Sequence, residues 1–232
     1  MSTFDGIDAS PFKENARYYY EREFLLILSK IVLCYKKIIS NGERLKNNED
    51  NIRDYIHNNY LNNKVVRSEL NLCYHFECEP KEYGSSEGYL DIKIFNDNIF
   101  SNPQEYYILE CKRLNNQNKR GKNGLNGKYI KDGILRFVKK KYSSFHRING
   151  MIGFVVEKMD IGSNVMDINY LLSNRFTEAN TTSQIISIDF IEDFTFQYFS
   201  KHKDIDKSDF KLYHLMLDFS DNLISDELPL RK

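Results

Sequence analysis

Two alternating stretches, Tyr89 to Phe95 and Tyr106 to Lys112, restrict the fold of this chain more than any other feature. Successive side chains of a β-strand point to opposite faces, so Leu90, Ile92 and Ile94 share one face while Asp91 and Lys93 share the other. The same period sends Tyr107, Leu109 and Cys111 one way and Glu110 and Lys112 the other. The intervening residues, Asn96 to Glu105, contain the Asn-Asp-Asn and Asn-Pro steps of a turn, which predicts that the two strands lie side by side. Asp91 and Glu110 then meet, with Lys112 on the same surface.

Carboxylates converging beside an amine at a strand end make a hard, oxygen-rich pocket suited to Mg²⁺, with Mn²⁺ as an alternative. A cation held there polarises a phosphodiester and lowers the pKa of an attacking water, while Lys112 stabilises charge developing in the transition state. The arrangement resembles the PD-(D/E)XK, or restriction-endonuclease-like, nuclease superfamily. Asp91 matches the first acid, Glu110 and Lys112 match the (D/E)xK element, and Leu90 stands where the name-giving proline would be.

The resemblance implies an α/β fold, a mixed central sheet flanked by helices with an N-terminal helical extension. It implies a Mg²⁺-dependent endonuclease acting on nucleic acid, DNA above all, in anti-phage defence or restriction. Asp91, Glu110 and Lys112 would be catalytic, and Asp91 and Glu110 would be metal ligands. In the superfamily a glutamate on the helix before the first strand often completes the metal site; Glu49 matches best, with Glu43 as the alternative. The helix after the E-x-K strand contributes polar groups there, which points to Tyr129 and Arg136, and then Lys128, for substrate phosphate. A second class of reading stays open: a non-catalytic subunit of the same fold that binds nucleic acid or a partner protein. In a third, the long N-terminal helix is an interface of a structural or regulatory protein, and a homodimer is one form of it.

With 232 residues the chain is long enough for one good-sized core, read as an arm and long helix over 1–42 and a single compact unit over 43–232. Lys and Arg number 33 and so do Asp and Glu, which excludes a strongly basic binding protein. The distribution is uneven, because Lys112 to Arg147 holds twelve Lys or Arg and one acid, Asp132. Cys34, Cys73, Cys78 and Cys111 form no disulfide framework, and neither a signal peptide nor a run of about 20 apolar residues is present, so a reducing, cytoplasmic setting without a membrane is expected. Cys73, His75 and Cys78 lack a fourth ligand for zinc.

Along the chain, Glu14 to Ile39 has helical spacing and Asn41-Gly42 stops it. A second helix is predicted from an Asn47 or Asn48 cap to Tyr60, and a strand over Val65 to Glu79. Pro80 to Glu87 reads as a turn. The glycine-rich Gly121 to Lys128 resembles a P-loop but has the wrong glycine spacing and lacks the Ser or Thr, leaving only backbone contact with phosphate as its possible use. A helix over Lys128 to Tyr142, a doubly buried strand over Gly150 to Glu157, a helix over Asp167 to Phe176, and strands within Gln184 to Phe199 and Phe210 to Phe219 complete the prediction. His202 and His214 read as satisfied structural residues.

Overall fold

The longest helical pattern of the sequence becomes the longest helix. In this computed structural model, which describes residues 10–80, 89–96, 105–142 and 145–224, α1 spans Ser10–Ser40 and buries Tyr20, Phe24, Ile27, Leu28, Ile31 and Ile38. Gly42, at φ 66°, lets the chain reverse so that the Glu43 N–H returns to the Ile38 carbonyl. Most of the predicted arm, the turn before residue 89 and most of the Asn96 to Glu105 linker lie outside the described residues, and the end of the arm, from Ser10, is already helical.

Helix α2 (Glu49–Ile56) starts where Asn48 accepts a hydrogen bond from the Asn51 N–H, and it runs on into a wider π-helical turn, His57–Leu61. The strand expected over Val65 to Glu79 is corrected. Asn63 caps the N–H groups of Val65 and Val66, and Lys64–Leu70 is helical (α3) until Asn71 turns left-handed at φ 49°. The β-branched pair suggested a strand, but the cap decides the conformation; only His75–Cys78 (β1) is extended.

The remaining strands are β2 (Ile92–Phe95), β3 (Tyr107–Leu114), β4 (Ile148–Val155), β5 (Thr181–Ser187), β6 (Gln197–Lys203) and β7 (Asp209–Asp218). They form one seven-stranded sheet in the order β1-β2-β3-β4-β7-β6-β5. β3, β4 and β7 are parallel, and every other pairing is antiparallel. The chain is therefore α/β with a mixed sheet.

Helices cover both faces. Residues of α1, α2 and α3 share one core with Tyr107, Leu109 and Cys111 of β3, so the N-terminal helix belongs to the sheet's own core. The opposite face receives α4 (Leu125–Lys128), a π-helical turn (Tyr129–Ile134), α5 (Leu135–Val138) and α6 (Ile161–Asn174). The first three run on as one stretch, starting earlier than the predicted Lys128. Helix α6 also starts before the predicted Asp167, because Asp160 caps it by accepting from the Ser163 N–H. On the outer strand β5, Asn169 of α6 exchanges two hydrogen bonds with the backbone of Ile185, at 2.8 and 2.9 Å, which closes part of that edge.

A buried polar chain crosses this second core. His202 Nδ1 lies 3.1 Å from the Ala179 carbonyl, which can only accept, so His202 carries its proton there and its Nε2 accepts from Ser200 at 2.8 Å. Having spent its hydrogen, Ser200 accepts from His214 Nε2 at 2.8 Å. His214 Nδ1 then accepts from the Tyr129 hydroxyl, also at 2.8 Å. One carbonyl thus fixes both tautomers, and both histidines are neutral. Burial pushes His202 down to about 4, and burial with the neighbouring His202 pushes His214 down to about 3.

These depressed values give stability that is complete above about pH 6.5 and lost as pH falls toward 4 and 3. Each histidine contributes a slope of up to about 1.4 kcal/mol per pH unit. Urea unfolding between pH 7 and 5 should show it as a difference between wild type and His214→Phe, since a buried carboxyl of the site described next titrates with the opposite sign in this window. Parallel profiles for the two proteins would contradict the neutral chain.

Candidate functional site

At the carboxyl end of β3 the alternation that buries Ile108 and Leu114 in the second core places Glu110 and Lys112 on that same face, both buried. One step beyond the Ile92 to Leu109 pair, the chain bends at Asp91 before β2 begins. This bend differs from the expected strand. Leu90 packs into the second core while Ile92 and Ile94 pack into the first, and Asp91 is freed to aim its carboxylate along the sheet end. Its Oδ2 accepts from the Cys111 N–H at 2.7 Å. Glu49, the first residue of α2, arrives from the other layer and accepts from the Arg113 N–H at 2.9 Å.

The Lys112 ammonium sits where these groups converge. Its Nζ is 2.6 Å from the Cys111 carbonyl, 2.8 Å from Glu110 Oε1, 3.0 Å from Glu49 Oε1 and 3.4 Å from Asp91 Oδ2. Glu110, fully buried, also accepts from Arg136 at 2.9 Å and from the Tyr142 hydroxyl at 2.8 Å. Burial first, and then the charge of Asp91, push Glu110 up to about 7 against the pull of Lys112 and Arg136. For Lys112 burial favours the neutral amine, but Glu110, Asp91 and Glu49 outweigh it and hold the pKa above that of an ordinary lysine.

Arg53 forms a second ring. It lies one helical turn after Glu49, on the inner side of α2, and its side chain is only 3 % exposed. The guanidinium contacts Asp54 and Glu79 at 2.9 Å, Asp91 at 3.2 Å and Asp50 at 3.3 Å. Burial opposes the charge, and the hydrogen bond donated to Asp54 and the charges of Asp91, Asp54 and Glu79 restore it. Arg53 therefore takes one oxygen of Asp91 and leaves the other facing Lys112. Sequence reasoning missed it, although Glu49 and Arg53 stand four apart and so share a helix face.

Asp91, Glu110, Lys112 and Glu49 are thus brought together. Glu43 is elsewhere, accepting from Tyr55 at 2.7 Å. A cleft of about 320 Å³ opens beside them, lined by Glu49, Lys112, Arg113, Lys128, Asp132 and Arg136 among others. Lys128 and Arg136 are in it as expected. Tyr129 is not: it is fully buried under the helical stretch, spent on His214. The glycine-rich loop is tightly turned and tied to α6. A Cβ at Gly124 would meet the Asn118 carbonyl at 2.4 Å, and Arg120 holds Asp167 at 2.6 Å, so the loop is folded upon itself.

The donor chemistry suits a hard divalent ion, with three carboxylates and one carbonyl directed at one point. Among the described residues no three acidic, histidine or cysteine side chains form an open metal cage. The position between the carboxylates is taken by the ammonium itself. Cys73, His75 and Cys78 likewise form no such group.

Removing a buried cation strands its partners, so Arg53→Met should cost about 3 kcal/mol or more. Glu79→Gln, removing a half-exposed partner, should cost less than about 1 kcal/mol. Urea denaturation of the two variants at neutral pH checks the contrast, and equal losses would show that Arg53 is not the anchor of Asp91.

Compared with protein-family models, curated proteins and solved structures, the chain matches none of them.

Proposed function

We propose that this chain is a metal-dependent nuclease that hydrolyses phosphodiester bonds, DNA first among them. Support comes from the meeting of Glu49, Asp91, Glu110 and the Cys111 carbonyl around one point at the rim of a cleft that carries Lys112, Arg113, Lys128 and Arg136. The same residues, Asp91, Glu110 and Lys112, carry the resemblance to restriction-endonuclease-like nucleases. That resemblance alone supports a role in anti-phage defence or restriction.

In this reading Glu49, Asp91 and Glu110 hold Mg²⁺ or Mn²⁺. When bound, such an ion polarises the phosphodiester and favours ionisation of an attacking water. The chain's own side chains do the rest. Lys128, which makes no ion pair among the described residues, and Arg113 draw the phosphate into the cleft. Arg136 holds Glu110 from the far side while its guanidinium stays one-third exposed toward the cleft. Lys112 offsets the charge that builds on the phosphate oxygens. Arg53 keeps Asp91 in orientation.

One observation favours a second reading, a non-catalytic subunit that binds nucleic acid or a protein. Every carboxylate oxygen of Glu49, Asp91 and Glu110 already has a partner from the protein, so the network is complete without a substrate or an ion. Among the described residues no helix is long and apolar enough to cross a membrane, which leaves both readings intact.

Incubation of supercoiled plasmid, short duplexes, single strands and RNA with Mg²⁺ or Mn²⁺ separates them. The nuclease reading expects cleavage by wild type, reduced roughly a hundredfold or more in Glu110→Ala, Asp91→Ala and Lys112→Ala. Binding that persists in chelator, with no cleavage under either ion, would favour the subunit.

A further inference from the structure

Resting on that reading of the site, we propose that the Lys112 ammonium is a resident counter-cation that a divalent ion has to displace, so that metal loading and delivery of Lys112 into the cleft are one event. The seat suits its occupant imperfectly. An ammonium has three N–H donors, but Nζ faces four acceptors, and the contact with Asp91 is stretched to 3.4 Å while the other three run from 2.6 to 3.0 Å. A hard divalent cation takes six or more oxygen ligands, from protein and water together, and carries twice the charge into a ring of three carboxylates.

The seat also survives the departure of the ammonium. Glu49 remains tied by the Arg113 N–H, Asp91 by Arg53 and the Cys111 N–H, and Glu110 by Tyr142 and Arg136. The oxygens that face Nζ therefore keep their aim without it. A way out exists as well. Lys112 borders the cleft, and its stem runs beside Gly133 of the π-helical turn, where the Met151 methyl fills the space a Cβ would take. Swinging outward moves Nζ from the carboxylates toward the side occupied by Arg113 and Lys128, where a phosphate would receive it. Without the ion, Lys112 is a structural cation; with it, Lys112 faces the substrate.

Two measurements on the full chain, with Mn²⁺ as the only ligand and no nucleic acid, test this. Acylation of wild type with an amine reagent, quantified by peptide mass spectrometry, should find Lys112 shielded in chelator relative to exposed Lys128, and labelled about as fast as Lys128 in saturating Mn²⁺. Calorimetry should find that Lys112→Met, which keeps the stem and empties the seat, takes up Mn²⁺ roughly tenfold or more tightly than wild type. If the variant does not fold, the labelling experiment decides by itself. Uptake of Mn²⁺ with Lys112 still shielded overturns the displacement and leaves the nuclease reading standing. Failure of wild type and a folded variant alike to take up Mn²⁺ removes the metal-dependent reading, and the displacement with it.

Discussion

One buried ammonium holds together groups that would otherwise repel each other. Glu110 has no exposed surface, and Asp91 is close enough to raise its pKa, so the two carboxylates are compatible only because cations stand between and beside them. Lys112 does this from within, contacting side chains that come from α2, from the bend before β2 and from β3 itself. Arg53 and Arg136 continue the alternation of charge outward, one into each helical layer. The network thus ties both layers together at the end of the sheet, where apolar packing thins out. Replacing it with apolar side chains would fill the same space without generating a polar site.

The sheet determines where that network can form. β3, β4 and β7 run parallel, and the carboxyl ends of parallel strands leave a crevice because the chain departs there toward its crossover segments. On the face toward the second core β3 carries Glu110 and Lys112 downstream of Ile108, which is still inside that core. The helical layer has to come close without covering the crevice. It does so through a π-helical turn containing Gly133, where a Cβ would run into Met151 at 2.3 Å. Both helical stretches beside the site, α2 and α4, pass directly into π-helical turns, the kind of irregularity that concentrates at functional sites.

What the sequence revealed is what local pattern encodes. The alternation of β3, the doubly buried β4 and the long α1 with its glycine stop follow from periods of 2 and 3.6 read over a few residues, whereas Asp91 comes beside Lys112 through a bend that breaks the period. Glu49 came from the resemblance and not from local pattern, for Asp50 in the same first turn of α2 points largely to solvent. Arg53 was not legible, since a buried arginine looks like any charged helix residue until Glu79, just past β1, and Asp91 are in place. Tyr129 fails for the same reason in reverse. Its neighbours Lys128 and Asp132 line the cleft, but only the fold reveals that Tyr129 faces the histidines. The strand expected over α3 shows a cap overruling the preference of two valines.

Charge counting is where sequence and structure differ most, and the difference bears on function. The twelve cations between Lys112 and Arg147 suggest a broad positive field. Among the described residues, Lys112, Lys119, Arg120, Arg136, Lys140 and Arg147 of this set form ion pairs with acids of the same chain. Exposed pairs such as Lys140 with Asp206 nearly cancel at a distance, and screening over about 8 Å removes most of the remainder. Arg113, Lys128 and the one-third-exposed Arg136 stand around the cleft with Lys112 behind them, and Lys122, Lys131 and Lys139 are exposed elsewhere on the surface.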